Sequence, residues 1–216
     1  MILRLLVPPK CVLCGGLLER QELDLCHGCR ADAPIVEGRK QNHRFIDAWT
    51  ALWYYEGHAR ESLLRYKFGR RRSYAPSYGR LLALRIQEEL GSEFDAITWV
   101  PVSRKRKRQR GFDQVELLAK AVSRELGIPA VCLLKKTRHT PAQSSLSQSA
   151  ERRANVLGAY ETVRPFPASG QRVLLLDDII TTGSTVQECA KTLLIGGAGS
   201  VCCAAVAVRK NNPKGW

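Results

Sequence analysis

The chain has 216 residues, enough for one main domain with a small accessory module but hardly for two full domains. Apolar residues make up 44% of it and charged residues 25%, which sets aside disordered and collagen-like classes. With 34 Lys and Arg against 20 Asp and Glu, the formal charge of +14 calls for an anionic partner: nucleic acid, an acidic membrane face or a phosphorylated metabolite.

The opening MILRLLVPPK is too short an apolar stretch for a signal-peptide core or a membrane span, and no later run is long enough. A cytoplasmic protein without a membrane span is the expectation. Two CxxC pairs follow, Cys11-Val12-Leu13-Cys14 and Cys26-His27-Gly28-Cys29, separated by eleven residues. Paired knuckles of this kind deliver four thiolates to one tetrahedral zinc. Two disulfides are the competing explanation, disfavoured in a reducing compartment; a redox CxxC is another, and it would not come in duplicate. Residues 1–32 therefore read as a structural Zn²⁺ module held by Cys11, Cys14, Cys26 and Cys29, with His27 as an alternative ligand. So short a segment needs the metal for most of its folding free energy.

Ala31 to Arg44 is polar and contains Pro34 and Gly38, so residues 33–44 are expected to be a linker. Ala48 to Gly57, AWTALWYYEG, reads as an aromatic strand ended by glycine. His58 to Phe68 and Ser77 to Leu90 read as helices with Arg70-Arg71-Arg72 in the turn between them. Residues 45–92 would then be a hood of strand and helices over a core spanning 93–216. Its Trp49, Trp53, Tyr54 and Tyr55 are expected in the core in preference to a base-stacking platform.

Phe94 to Val102, FDAITWVPV, is a buried-strand candidate, and Phe112 to Leu126 a helix with Val115, Leu118, Ala119, Val122 and Leu126 on one face. The intervening Ser103 to Arg110, SRKRKRQR, is six parts basic in eight. It is either a solvated turn or a loop at a strand end whose cations draw off a pyrophosphate leaving group. Ala130 to Leu134 is a second short strand, and Lys135 to Asn155 a connection long enough to be functional. Val173 to Leu176 is a third strand, Thr185 to Ile195 a helix stopped by Gly196-Gly197, and Ser200 to Val208 a last strand. Strands alternating with helices predict an α/β fold, a parallel sheet covered on both faces with its function at the carboxyl ends of the strands. Cys132, Cys189, Cys202 and Cys203 are expected as buried small hydrophobes.

Val173 to Val186 reads VLLLDDIITTGSTV. Backbone N–H groups at a helix start, with neighbouring hydroxyls, suit a phosphate. Two carboxylates just before them would repel that phosphate and should face sugar hydroxyls or a Mg²⁺. An ordinary strand with a polar turn is the bland alternative. A nucleotide-hydrolase acidic strand is another, but no GxxxxGK[ST] lies upstream.

VLLLDDIITTGST resembles the phosphoribosyl pyrophosphate (PRPP) motif of type I phosphoribosyltransferases. The resemblance implies that Asp177 and Asp178 hold the ribose hydroxyls while Thr181, Thr182, Gly183, Ser184 and Thr185 cradle the 5′-phosphate. The CxxC pairs, YYEGHARESLLRYKF, VPVSRKRKRQRGFDQVELLA and KKTRHTPAQSSLSQSAERRANVLGAY resemble the competence protein ComF family as well. Ser103 stands where that family commonly has histidine, and Asp113 where asparagine is common. The resemblance implies a Rossmann-like type I phosphoribosyltransferase fold with an N-terminal zinc finger. It assigns Arg110, with Asp177 and Asp178, to catalysis, and Ser103, Arg104, Gly111, Gln143, Arg153 and Asn155 to PRPP binding, the last three in a mobile catalytic loop. It implies a competence protein of natural transformation that binds PRPP and single-stranded DNA and partners a competence helicase or another DNA-uptake protein. The alternatives are a metabolic phosphoribosyltransferase acting on a nucleobase or amine, and a non-catalytic PRPP-sensing module.

Overall fold

A computed structural model describes residues 8–38, 40–69, 71–138 and 156–210. The chain runs α1 (His27–Asp32), β1 (Lys40–His43), β2 (Ile46–Tyr54), α2 (Gly57–Phe68), α3 (Tyr74–Leu90), β3 (Ala96–Trp99), α4 (Arg104–Arg110) and α5 (Gln114–Leu126). It continues through β4 (Leu134–Lys136), β5 (Tyr160–Thr162), β6 (Arg172–Ile180), α6 (Ser184–Ile195) and β7 (Ser200–Val208).

Five strands form the main sheet in the order β1-β2-β7-β6-β3. β2, β7, β6 and β3 run parallel, and β1 closes one edge antiparallel to β2. The central β7, SVCCAAVAV, carries no charge and is buried at every position after Ser200, as a strand covered on both faces must be. Alternation along β6 divides the core. Leu174 and Leu176 join Leu63, Leu82 and Leu118 of α2, α3 and α5, whereas Val173 and Leu175 join Val186 and Leu193 of α6 and Tyr160 of β5. α3 and α5 meet at Gly79, where an added Cβ would lie 2.5 Å from that of Ala121. The fold is thus the α/β parallel sheet flanked by helices that the alternation predicts.

Several elements depart from the sequence-based expectation. The basic run is the helix α4, because Ser103 caps its start by accepting the Arg106 N–H at 3.4 Å and Gly111 ends it in the left-handed conformation. The segment expected as a linker contains β1, and its Ile35 bridges to Trp53. β2, expected in a hood, is an inner strand of the main sheet, so its Trp49 and Trp53 are core residues. Gly57 opens α2 and does not end the strand. The strand expected over Ala130 to Leu134 shrinks to a bridge between Ala130 and Ile97, and the chain instead pairs β4 with β5. Cys132 is exposed, while Cys189, Cys202 and Cys203 are buried as expected.

The cysteine-bearing segment packs against the main body. Cys11, Val12 and Leu13 share a core with α2 and α3. Ser62 and Arg65 of α2 donate to the carbonyls of Val12 and Leu13, and Arg80 of α3 grips Asp24 through both side-chain oxygens. Among the described residues, no helix is long and apolar enough to cross a membrane.

Candidate ligand-binding site and four-cysteine centre

β3 and β6 are parallel neighbours, so the segments that leave their carboxyl ends emerge side by side. Beyond β6, Thr181 to Gly183 turns into α6, and Gly183 sits at φ 69°, a conformation that glycine adopts without a Cβ clash. Beyond β3 come Pro101, Val102 and α4. Between them opens a cavity of about 680 Å³. Arg60, Lys67, Arg106, Arg110, Lys136 and Arg209 line it together with Asp177 and Asp178, six cations against two acids, which is a setting for an anion.

The two acids stand in different surroundings. Asp178 Oδ1 is 2.8 Å from Lys67 Nζ, and its Oδ2 accepts from Gln114 Nε2 at 2.8 Å. It thereby ties α2 and α5 to β6. Asp177 accepts the Asp178 backbone N–H at 2.8 Å. Burial, then the adjacent Asp178, pushes Asp177 up to about 8. Across the cavity, burial lowers Lys136 to about 8, and its Nζ donates to the Tyr160 hydroxyl at 3.1 Å. Burial also lowers Arg110, whose guanidinium lies 5.2 Å from the Phe68 ring centre.

Of the residues singled out in the sequence, Asp177, Asp178, Arg110, Thr181, Gly183 and Thr185 line this cavity. The Thr182 and Ser184 hydroxyls lie 2.9 Å from each other, and neither residue is among the lining. Ser103 and Gly111 cap α4, and Arg104 is exposed at its start. Gln143, Arg153 and Asn155 lie outside the described residues. Asp113, where asparagine is common in the resembling family, is the cap of α5: one oxygen accepts from Val115 and Glu116 and the other from Val102. Lys67, Gln114, Lys136 and Arg209 were missed. The KF ending of α2 and the Gln114 after RGFD were visible as motif residues, but nothing local marks either as a neighbour of Asp178.

In the N-terminal segment, the Sγ atoms of Cys11, Cys14, Cys26 and Cys29 all lie within 4.8 Å of one another. Four thiolates around one zinc at about 2.3 Å stand about 3.8 Å apart. Cys14 and Cys26 Sγ are 3.8 Å apart, and the Gly16 N–H donates to Cys14 Sγ at 3.4 Å. Burial raises Cys11, but N–H groups of Cys26, Cys14 and Leu13 outweigh it and hold the thiol at about 7, whereas burial pushes Cys14 and Cys29 up. The donor set and its spacing fit a single tetrahedral ion, and His27 is not part of the cluster.

The phosphoribosyl transferase domain family matches residues 116–216. Competence protein F of Haemophilus influenzae is 30% identical over 193 residues, which cover 86% of this chain and 78% of that protein. The chain belongs to the competence protein F family. Competence protein ComFC of Bacillus subtilis is 23% identical over 189 residues, covering 87% of this chain and 72% of its own. The DNA utilization protein YhgH of Escherichia coli O157:H7 is 36% identical over 140 residues, 62% of this chain, and the match spans 60% of the length of YhgH. In this family member, the matched domain supplies β6, its acids and the start of α6, while α2 and α4 bring Lys67, Arg106 and Arg110 from outside the matched residues.

Proposed function

We propose that the cavity binds PRPP and that the chain serves the handling of DNA in natural transformation, with its basic surfaces engaging single-stranded DNA. The observation that carries this is the meeting, around one cavity, of an acidic pair, a glycine-led helix start and six cations. Asp177 and Asp178 accept from the ribose hydroxyls. Thr181, Thr185 and the N–H groups around Gly183 hold the 5′-phosphate. Arg106, Arg110 and Lys136 surround the pyrophosphate, and when its bond to the anomeric carbon breaks they stabilise the departing negative charge.

Among the described residues, no group of three or more His, Cys, Asp or Glu could hold an ion apart from the four cysteines. Mg²⁺ keeps several waters and binds one or two carboxylates plus substrate phosphates, so these two acids fit an ion that arrives with PRPP. Bound there, it would neutralise pyrophosphate charge. The cysteine centre is assigned to a structural Zn²⁺, and the partners extend to a DNA-uptake protein such as a competence helicase.

Calorimetric titration with PRPP and Mg²⁺ tests the cavity. One-to-one binding that weakens at least tenfold in Asp177→Asn is expected, and absence of binding to the unaltered protein overturns the assignment. Titration of labelled single-stranded DNA should weaken as salt rises, because bound phosphates release counterions. No binding at low salt overturns the DNA role.

A further inference from the structure

Phe68, the last residue of α2, is 67% exposed and yet lines the cavity. Leu17, Leu23, Leu84, Leu157 and Ile195 are also exposed, but none of them lines it. Isolated surface hydrophobes are ordinary. Phe68 differs in its setting. The Arg110 guanidinium lies 5.2 Å from its ring centre, and Gln109 and Arg60 are on the same cavity wall. The preceding Lys67 is bonded to Asp178 at 2.8 Å, so the ring is rooted one residue from the acidic pair.

A stacked arginine and phenylalanine present a flat π surface and a delocalised cation side by side. Such a pair recognises planar rings that carry or adjoin negative charge. A sugar or a bare phosphate offers no ring to stack. Of the four aromatics that the sequence made candidates for such a platform, Trp49 and Trp53 are buried in the sheet and unavailable to a ligand, whereas Tyr54 and Tyr55 are half-buried and Tyr55 also lines the cavity. We infer that Phe68 and Arg110 form a nucleobase-stacking subsite at the rim of the cavity, with Gln109 placed for the edge of the base. The subsite rests on the PRPP reading of the cavity floor for its meaning and on Phe68 for its existence. It takes a base of single-stranded DNA or a free nucleobase, the shared chemistry being the aromatic ring.

The test compares a short fluorescent oligodeoxynucleotide with an abasic oligomer of the same length and charge, by anisotropy at fixed salt. Phe68→Ala should bind the base-bearing strand roughly tenfold more weakly, as lost base stacking predicts, and the abasic strand unchanged. Phe68→Trp should restore the affinity, and its fluorescence should be quenched by the base-bearing strand alone. Competition with adenine that displaces the strand assigns the subsite to a free base as well, and failure to compete restricts it to a base within a strand. Equal loss on both strands, or no loss in Phe68→Ala with its thermal unfolding unchanged, overturns the inference. PRPP calorimetry reports the cavity floor separately: absence of PRPP binding to the unaltered protein sinks the proposed function, whereas equal affinity of the unaltered protein for the two strands sinks the stacking subsite.

Discussion

The two crossings that leave the neighbouring strands β3 and β6 share direction and place but solve opposite problems. After β3 the helix starts are closed by side chains: Ser103 caps α4, and Asp113 caps α5 with two further N–H groups. Cations crowd the α4 surface while Ser103 takes up the Arg106 N–H at its start. After β6 no side chain caps α6, and Thr181, Gly183 and Thr185 of the turn line the cavity. One crossing offers mobile point charges and the other a fixed array of donors. A pyrophosphate that departs suits the first, and a phosphate that stays bound suits the second.

The largest expected break comes at Asp178. Asp178→Ala leaves the half-buried Lys67 without its carboxylate partner and should cost about 2 kcal/mol in urea unfolding, the loss of a hydrogen bond to a charged group. It should also weaken both ribose 5-phosphate and PRPP. Adding Lys67→Met should recover stability but not affinity, separating the structural tie from the ligand contact. Asp178 thus has a place in the fold of its own, bridging α2 and α5 to β6.

Arg106→Ala, on the other crossing, should weaken pyrophosphate and PRPP about tenfold, the loss of a charge-assisted hydrogen bond, while ribose 5-phosphate binds as before. Equal loss for all three ligands would erase the division between the crossings.

A smaller effect should follow pH. Asp177 is raised to about 8, so the empty folded protein keeps a proton that the unfolded chain has already lost. The stability this proton contributes is fully present below the unfolded pKa and fades as pH rises toward about 8. Affinity for PRPP, which needs the ionised acid, should increase by at most about tenfold per pH unit up to about 8 and fall above it, as Lys136 at the pyrophosphate loses its proton. Asp177→Asn should flatten the stability profile and remove the rising limb of the affinity profile, measured by urea unfolding and by calorimetry between pH 6 and pH 9.

The smallest change is expected for Asp113→Asn, since an amide oxygen can still cap α5. About 1 kcal/mol of stability, and no change in PRPP affinity, should be found by thermal unfolding and titration.

Much of this was legible without coordinates. The apolar period of α5, the uncharged run of β7, the knuckle spacing and the VLLLDDIITTGST segment all announce themselves over windows shorter than twenty residues. The basic run did not: six cations in eight residues suggest a solvated turn, and the helix forms because Ser103 and Gly111 close its two ends. The supposed hood was misassigned because an aromatic strand carries no label saying which sheet it joins, and β2 pairs with a β7 that lies more than a hundred residues further along.

The sequence by itself determined the longer periodic elements, the four-thiol spacing and the acidic, hydroxyl-rich turn, because periodicity, thiol spacing and turn chemistry act over neighbouring residues. Only the tertiary structure decided which cations face the acids. Lys67 from α2, Gln114 from α5 and Lys136 from β4 converge on one cavity because the helices and the β4-β5 hairpin pack against the sheet around its strand ends. The bond from Gln114 to Asp178 joins residues 64 positions apart, a pairing fixed by how α5 packs on β6 and by nothing in either neighbourhood alone.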